Sequence, residues 1–309
     1  MTGKPKVAVF SPNPMVSIAI ESFSAEGGDD IHIHAAGQGV WVARMAAELG
    51  ADPVLCGFIG GEVGTVLRPL LEEMPVELRL VETGEASGCY LHDRRSGERE
   101  PIAQSASLPP SRHEIDELFS SAVAAALDSG VLALCGPFPG EALPLELYGS
   151  LVADVKANGT PVVVDLSPPR LDSALEGGPD LVKINDWELA SFIEGPVDTT
   201  ERMRAAARRL LDAGAGSAII TRAEEPAMVL RGEQAWELIP PRFERGSREG
   251  CGDSMMGGLA ACIAAGLDWE ETLRTGAAAG AANFLRHGLG SGSRSVVEDL
   301  ARRVELRPL

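Results

Sequence analysis

The chain has 309 residues, of which 45% are hydrophobic and 23% are charged, a composition typical of a folded globular protein. Its formal net charge of −18 argues against nucleic acid or an anionic membrane as a partner, because binding to phosphates needs a basic surface. The five cysteines are scattered and odd in number, so the sequence predicts neither a disulfide framework nor a zinc site. No apolar run is long enough to cross a bilayer, and the N-terminus runs into the strand-like Val7–Phe10 without a signal peptide, so we expect a cytoplasmic protein.

Short apolar runs alternate with longer helical patterns, which predicts an α/β fold whose sheet is covered by helices on both faces, in a single domain spanning residues 1–309. The predicted strands are Val7–Ser11, Pro53–Phe58, Val131–Cys135, Val162–Asp165, Leu181–Ile184 and Ala218–Thr221. The predicted helices are Gly39–Leu49, Val63–Glu73, Arg112–Leu127, Pro144–Ala157, Thr200–Leu211, Ser254–Ala265 and Glu270–Leu285. Strand-like segments at Ala227–Leu230 and Trp236–Ile239 predict an antiparallel edge beside Ala218–Thr221.

Two regions break this alternation, at about residues 15–35 and 77–105. Their period-two segments have the pattern of half-exposed strands. We expect these strands to form a small sheet inserted into the main domain, as a lid over an active-site cleft. An exposed lid sheet also predicts a possible homodimer through the lid. The segments are Val16–Ile20, Ile31–His34, Leu78–Leu80, Cys89–His92 and Glu100–Ile102.

The segment Gly250-Cys251-Gly252-Asp253 precedes a predicted helix. Its two glycines let the backbone approach a charged group, and the helix start adds unpaired amides and a positive dipole end. An aspartate beside such an anion site suits a group that takes a proton from an attacking hydroxyl. The alternative is that Asp253 only caps the helix, as aspartate commonly does.

The chain contains, in this order, the segments Asn13-Pro14, Ala36–Arg44, Gly57–Gly61, Lys183–Glu188 and Gly250–Asp253. Their order and sequence resemble the motifs of ribokinase-like (PfkB) carbohydrate kinases. Gly250–Asp253 resembles the family's G-A-G-D signature, and Lys183–Glu188 resembles its K-x-N-x-x-E element. Ala36–Arg44 resembles G-G-K-G-x-N-V-A-R. Gly57–Gly61 and Asn13-Pro14 resemble the 1-phosphofructokinase and tagatose-6-phosphate kinase branch. The resemblance implies a three-layer α/β/α sandwich with a small inserted β-sheet lid.

The resemblance also implies ATP-dependent phosphorylation of a hydroxyl on a small sugar-like acceptor, with ATP and Mg²⁺ as cofactors. Asp253 would be the general base, and the amides of Gly250–Asp253 would hold the transferring phosphate. Asn185 and Glu188 would organise Mg²⁺ through water. The alternative is that Asn185 and Glu188 only mark a helix start, where an N-cap residue and the residue three positions later hydrogen-bond each other reciprocally.

Further nucleotide contacts follow from the same resemblance. Lys183 and Thr221 would lie at or beside the nucleotide phosphates, and Asn283 near the adenine pocket. Where the family usually has T-L-G-x-x-G, this chain has Thr221–Pro226, so Arg222 is a candidate phosphate contact. The alternatives are a solvated strand end for Lys183 and an ordinary surface hairpin for Thr221–Pro226.

The chain departs from the family on the acceptor side. Ser17 stands where N-P-x-x-D places an aspartate, and it offers one neutral hydroxyl in place of a carboxylate. Gln38 and Trp41 replace the lysine and asparagine of G-G-K-G-x-N, and Ser87–Tyr90 lacks the arginine of the T-R-x-N element. The candidate substrate residues are Asn13, Ser17, Gly37, Gln38 and Trp41.

Together these losses argue against a sugar phosphate as acceptor and leave three hypotheses. The first is a kinase for a sugar, polyol or nucleoside-like acceptor other than fructose phosphates. The second is 1-phosphofructokinase or tagatose-6-phosphate kinase proper, with lid arginines such as Arg94 or Arg95 replacing the lost contacts. The third is a catalytically weak sugar- or nucleotide-binding regulator. For the Arg94–Glu100 cluster we predict a solvated hairpin turn around Ser96-Gly97.

Overall fold

The computed structural model describes residues 3–23, 28–97, 99–105, 109–136, 143–286 and 290–309. Residues 24–27 and Glu98, which belong to the predicted lid regions, lie outside this description. The strands are β1 (Lys6–Phe10), β2 (Met15–Phe23), β3 (Gly28–Ala36), β4 (Asp52–Gly60), β5 (Glu77–Thr83), β6 (Gly88–Asp93), β7 (Glu100–Gln104), β8 (Leu132–Cys135), β9 (Val162–Asp165), β10 (Leu181–Asn185), β11 (Ser217–Arg222), β12 (Glu225–Arg231), β13 (Gln234–Ile239) and β14 (Glu305–Pro308). The helices are α1 (Gln38–Glu48), α2 (Gly61–Glu72), α3 (Arg112–Leu127), α4 (Glu146–Ala157), α5 (Arg170–Glu176), α6 (Asp186–Ile193), α7 (Thr200–Asp212), α8 (Cys251–Ala264), α9 (Trp269–Phe284) and α10 (Arg294–Ala301).

The main sheet has the strand order β14-β13-β12-β11-β10-β9-β8-β1-β4-β5 within the described ranges. Along this order, each strand from β11 to β5 is parallel to its neighbour, namely β11, β10, β9, β8, β1, β4 and β5. At the other edge, β12, β13 and β14 pair antiparallel. This confirms the predicted antiparallel edge. The sequence analysis did not predict β14, a short and mostly exposed strand that pairs with β13.

Helices cover both faces of the main sheet and create two hydrophobic layers. One layer contains residues of α3, α4, α5 and α7, and the other contains residues of α1, α2, α8 and α9. Successive strand residues contribute to opposite layers, as Val162 and Val163 of β9 show. The predicted three-layer α/β/α sandwich is therefore confirmed. That residues 1–309 form a single domain stays a prediction.

A separate small sheet has the order β3-β2-β6-β7. Its strands come from both predicted lid regions, and β2 pairs antiparallel with β3 but parallel with β6. The assignment of residues 77–83 to the lid is wrong, because β5 pairs in parallel with β4 at the edge of the main sheet. Because β5 lies at the edge of the main sheet, its side chains are only partly covered, and exposed, half-buried and buried residues occur along it. A lid strand has a similar exposure pattern.

Helix α8 begins at Cys251, three residues before the predicted start at Ser254. The reason is Gly250, which takes the N-cap position with φ 72° and ψ 0°, a left-handed conformation that favours glycine. Asp253 therefore lies in the first turn of the helix. The helices α5, α6 and α10 were not predicted, and each is only seven or eight residues long.

The parallel strands end at one edge of the main sheet, which is where open α/β folds bind ligands. Asn13 follows β1, Gly136 follows β8, and Asp165, Asn185 and Thr221 lie at the ends of β9, β10 and β11. The topology thus assembles residues that are far apart in sequence. Within the described ranges, no helix combines the length and apolar character that a membrane crossing needs.

Candidate active site

The first turn of α8 is the centre of the candidate site. No side chain caps this helix within the described ranges, so the first-turn amides of Gly252 and Asp253 have no side-chain acceptor, and Asp253 is not the cap. The N–H of Cys251 instead donates to the carbonyl of Arg248 at 3.3 Å. Burial raises the pKa of the Cys251 thiol to about 11, so this side chain stays protonated at neutral pH.

Lys183 lies directly against this turn. Its Nζ is 2.6 Å from Asp165 Oδ2, and the two side chains are only 7% and 5% exposed. A Cβ atom on Gly252 would lie 2.6 Å from Lys183 Nζ, so a larger residue would displace the ammonium group. Lys183 is therefore a buried cation beside the candidate anion site. The alternative of a solvated strand end is wrong.

Asp253 has an electrostatic environment suited to proton transfer. Burial raises its pKa to about 7, although the ammonium group of Lys183 opposes this shift. The carboxylates of Asp165 and Glu188 raise the pKa, and a hydrogen bond from Gln38 lowers it. A carboxyl group with a pKa near neutrality can exchange a proton at physiological pH.

The same cluster keeps Lys183 charged. Burial lowers the pKa of Lys183, but the carboxylates of Asp165, Asp253 and Glu188 raise it by more, so the net shift is upward. An ammonium group held in this way offers a fixed positive charge beside the first turn of α8. It is a suitable partner for a phosphate group.

Asn185 and Glu188 form a capping box at the start of α6. Asn185 Oδ1 accepts from the Glu188 N–H at 2.8 Å, and Glu188 Oε2 accepts from the Asn185 N–H at 3.3 Å. Asn185 and Glu188 therefore have the hydrogen bonds expected of residues at a helix start. Within the described ranges, no group of three or more His, Cys, Asp or Glu side chains could hold a metal ion directly. The expected contact with Mg²⁺ through water stays a prediction.

A cleft of about 490 Å³ opens beside Lys183 and the first turn of α8. One part of its wall is apolar and includes Pro240, Phe243 and Phe284. Such a combination of polar and apolar lining suits a nucleotide, with phosphates at the helix start and a base against the apolar wall. The predicted residues that line this cleft are Lys183, Asn185, Thr221, Arg222, Cys251 and Gly252.

The Thr221–Pro226 segment differs from a glycine-rich loop in its backbone. Ala223 has φ 48°, a left-handed conformation that is unfavourable for alanine. Arg222 Nε donates to the carbonyl of Pro226 at 2.7 Å, and Thr221 Oγ1 donates to the carbonyl of Ile184 at 3.5 Å. The segment is a hairpin between β11 and β12, and it also lines the cleft.

Asn283 is not among the residues that line this cleft, although its neighbour Phe284 is, so its expected place near the adenine pocket stays a prediction. It is fully buried on α9, and its Nδ2 donates to the carbonyl of Glu249 at 2.7 Å. Its Oδ1 accepts from the N–H of Ser291 at 3.4 Å. Asn283 thereby supports the turn that leads into α8.

Gln38 connects the predicted acceptor side to Asp253. Its Oε1 accepts from the N–H of Gly136 at 2.9 Å, and its side chain also hydrogen-bonds Asp253. Because Oε1 is an acceptor, the amide NH₂ is the group that donates to the carboxylate. Gly37 has φ 114°, and a Cβ there would lie 3.2 Å from the carbonyl oxygen of Asn13.

Ser17 and Trp41 lie at the small sheet. Ser17 is buried on β2 and pairs with Tyr90 on β6. Tyr90 packs with Met15 and Ala36 in an apolar cluster, against which Trp41 is partly buried. Ser17 and Trp41 thus lie beside an apolar cluster, unlike the polar groups that the family motifs have at these two positions.

The hairpin between β6 and β7 is not simply solvated, which corrects the prediction for the Arg94–Glu100 cluster. Arg94 Nη2 lies 3.0 Å from Glu249 Oε2, and Arg99 forms an ion pair with the same carboxylate. The Arg94 and Glu249 side chains are only 16% and 17% exposed. Arg95 differs, because it is more exposed and pairs with Asp93 and Asp29.

The model of the pfkB family of carbohydrate kinases matches residues 17–295. The chain belongs to this family. The 1-phosphofructokinase of Rhodobacter capsulatus is 29% identical to this pfkB-family chain over 283 residues, which cover 87% of each sequence. ATP-dependent 6-phosphofructokinase isozyme 2 of Escherichia coli K12 is 28% identical over 258 residues, with 82% of each sequence covered. The structure of phosphofructokinase-2 from Escherichia coli in complex with potassium has a TM-score of 0.86 at 25% identity, covering 97% of this chain and 99% of that one.

Several residues of this pfkB-family site were not found from the sequence. Asp165 had a usable signal, since a carboxylate ends a fully apolar strand beside the strand of Lys183. A sequence signal also exists for Glu249, because this residue directly precedes Gly250. No sequence signal indicates the contact of Glu249 with Arg99, because the two residues are separated by about half of the chain.

Proposed function

We propose that the chain is an ATP-dependent kinase that phosphorylates a hydroxyl group of a small sugar-like acceptor. The observation that carries this proposal is the position of Asp253 in the first turn of α8, with its pKa raised by burial to about 7. Membership in a family of carbohydrate kinases supports the same reaction class. A protein that only bound a ligand would have no chemical need for this carboxyl group.

In the proposed reaction, Asp253 accepts the proton of the acceptor hydroxyl as its oxygen attacks the γ-phosphorus of ATP. The bond from that phosphorus to the bridging oxygen breaks, and ADP leaves. The amides of Gly252 and Asp253 donate hydrogen bonds to the transferring group, on which negative charge is spread. Lys183 adds a fixed positive charge next to the same turn.

The residues present fit a nucleotide and its magnesium ion. The cleft has room for a nucleotide, and Lys183, Thr221 and Arg222 line its polar end, where they would contact the phosphates. Oxygen donors suit Mg²⁺, and Asn185 and Glu188 would hold it through water. Bound Mg²⁺ would neutralise charge on the phosphate oxygens.

The proposal is tested by measuring ADP formation across a panel of sugars, polyols, nucleosides and sugar phosphates. Asp253→Asn should lower turnover about 100-fold or more while MgATP binding is retained, because the variant loses only the proton acceptor. Asp268→Asn is the matched control, since Asp268 caps the neighbouring helix α9 and asparagine also caps well. Undiminished turnover by Asp253→Asn would contradict the assigned role.

A second candidate is 1-phosphofructokinase or tagatose-6-phosphate kinase activity proper. It is favoured by the similarity to proteins named 1-phosphofructokinase. Coupled assays with fructose 1-phosphate and tagatose 6-phosphate test it, and absence of turnover with both excludes it. The regulator hypothesis instead predicts binding of these compounds without ADP formation.

The cytoplasmic location and the homodimer also remain part of the proposal. Ile31 and Ile33 on β3 are 62% and 45% exposed, which provides apolar surface for a second copy. Size-exclusion chromatography with light scattering tests the dimer, and a monomer at micromolar concentration would contradict it.

A further inference from the structure

One buried polar atom on the small sheet, His92 Nδ1, has no hydrogen-bond partner within the described part of the chain. His92 is 4% exposed and its neighbour Tyr90 is 7% exposed. The Tyr90 hydroxyl is a second buried polar group, and hydrogen bonds with the side chains of Ser17 and Arg99 lower its pKa. The two rings stack with centroids 5.6 Å apart. Buried polar groups are usually hydrogen-bonded, so an unpaired imidazole nitrogen beside a second buried hydroxyl indicates a place for ligand groups.

Both side chains lie on the face of the small sheet that is directed toward the catalytic carboxylate. Residues 90 and 92 are two apart on β6 and therefore share a face. Ser17 pairs with Tyr90 across β2 and β6, and the charge of Asp253 contributes to the raised pKa of Tyr90, which is caused mainly by burial. The Tyr90 hydroxyl therefore stays protonated and can donate or accept.

His92 is an uncharged hydrogen-bonding group in this environment. Burial lowers its pKa to about 4, and the positive charges of Arg99 and Arg94 add to this effect. At neutral pH the imidazole contributes no positive charge toward an anion. It retains the hydrogen-bonding capacity of a neutral ring.

The arginines of the same hairpin are already paired with carboxylates. Arg94 contacts Glu249 at 3.0 Å and Glu21 at 3.8 Å, and Arg99 pairs with Glu249. The Arg99 guanidinium also lies 4.7 Å above the centre of the Tyr90 ring. The positive charges of Arg94 and Arg99 are therefore balanced by the negative charges of Glu21 and Glu249. A phosphate dianion would have to compete with Glu249 for the two arginines.

We propose that Tyr90 and His92 hydrogen-bond an uncharged, hydroxyl-bearing acceptor, and that Glu249 withholds the lid arginines from phosphorylated sugars. This inference rests on the proposed kinase function and specifies its substrate class as an unphosphorylated sugar or polyol. Trp41 and Met15, which pack around Tyr90, provide the apolar side of the same subsite.

The test compares kcat/KM at saturating MgATP for unphosphorylated sugars and polyols with that for their phosphates, including fructose, fructose 1-phosphate and fructose 6-phosphate. We expect the best unphosphorylated acceptor to exceed the best sugar phosphate by about tenfold or more, a factor within the reach of one missing polar contact. A preference for a sugar phosphate would overturn the inference but leave the kinase function standing. Absence of turnover with the whole panel, despite MgATP binding, would instead contradict the kinase function and the inference with it.

Glu249→Gln tests the role of the carboxylate. The substitution should raise the ratio of sugar-phosphate to free-sugar kcat/KM about tenfold, because it removes the negative charge that Arg94 and Arg99 share. Arg95→Gln is the matched control on the same hairpin, since Arg95 pairs with Asp93 and Asp29, and the ratio should not change. An unchanged ratio in Glu249→Gln would contradict the role of Glu249.

Tyr90→Phe tests the subsite with little change in packing. It should raise KM for the uncharged acceptor about threefold or more and leave the dissociation constant of MgATP unchanged. A melting temperature close to that of the parent protein shows that the variant is folded. An unchanged KM for the acceptor would contradict the assignment of Tyr90.

Discussion

The carboxyl edge of the main sheet and the inner face of the small sheet meet near Asp253, but they are built in different ways. At the sheet edge, backbone features position the site, namely the ends of parallel strands and the left-handed Gly250. On the small sheet, exchangeable side chains such as Tyr90 and His92 determine the surface. The difference teaches that the proposed phosphoryl transfer depends on backbone geometry, whereas the choice of acceptor can change without a change of fold.

The two regions also differ in their balance of charge. Around Lys183 there are three carboxylates, from Asp165, Glu188 and Asp253, and their mutual repulsion contributes to the raised pKa of Asp253. At the lid hairpin, by contrast, the arginines and carboxylates are equal in number among the ion pairs at Arg94 and Glu249. The first arrangement suits proton transfer, and the second suits an uncharged ligand.

The largest effect is expected when the backbone region is disturbed at Gly252. In Gly252→Ala the new Cβ would lie 2.6 Å from Lys183 Nζ, so the ammonium group must move away from the anion site. We expect kcat to fall about 100-fold, as misplacement of about 1 Å can cause. Initial-rate measurements of ADP formation check this prediction.

Gly84→Ala is the control for that substitution, because a Cβ at Gly84 has nothing within 4 Å. Its kcat should stay close to that of the parent chain. Full activity in Gly252→Ala would show that the close approach of Lys183 to this turn has no functional importance.

A second prediction concerns the dependence of kcat/KM on pH. Because Asp253 must be deprotonated to accept a proton, activity should rise with pH through the pKa of about 7. Asp165→Asn should move this rise to lower pH, since the Asp165 carboxylate raises the pKa of Asp253. Lys183→Met should move it to higher pH, because Lys183 lowers that pKa. Shifts in the same direction would be inconsistent with the proposed electrostatic cluster.

The smallest effect is expected on stability. The folded-state pKa of Asp253, about 7, lies above the unfolded value of about 3.9, so the carboxyl group makes the folded protein less stable as pH rises through this interval. Asp253→Asn lacks this penalty. The free energy of unfolding of the variant relative to the parent should therefore be higher at pH 8 than at pH 5, by about 1 kcal/mol or more.

Denaturant titrations of both proteins at the two pH values measure this difference. Asp268→Asn again serves as the control, because Asp268 is a helix cap outside the cluster. An equal effect of Asp253→Asn at both pH values would contradict the raised pKa.

Much of the fold was predictable because the buried strands are continuously apolar and the long helices have clear ends. Helix Arg112–Leu127 was predicted with its observed bounds, since its N-cap Ser111 and the Glu114 capping box are local signals. The strand Glu77–Thr83 was assigned to the wrong sheet because an edge strand and a lid strand have similar exposure patterns. Sequence periodicity does not determine which strand is the neighbour.

The candidate site was predictable where its proposed function depends on consecutive residues. Gly250–Asp253 and Lys183–Glu188 are such segments, and the structure places Lys183 against Gly252. The hydrogen bonds of Asn283 with Glu249 and Ser291 were not predicted, because the sequence alone does not reveal which residues lie side by side. The lid ion pairs were missed for the same reason.

The most direct test of the central claim is a crystal structure with a non-hydrolysable ATP analogue, Mg²⁺ and the best acceptor from the panel. The account predicts an acceptor hydroxyl within about 2.6–3.2 Å of the Asp253 carboxylate, as proton transfer requires. It further predicts that other hydroxyls of the acceptor hydrogen-bond Tyr90 Oη and His92 Nδ1. An acceptor whose hydroxyls all lie away from Asp253, or whose contacts avoid the small sheet, would contradict the account.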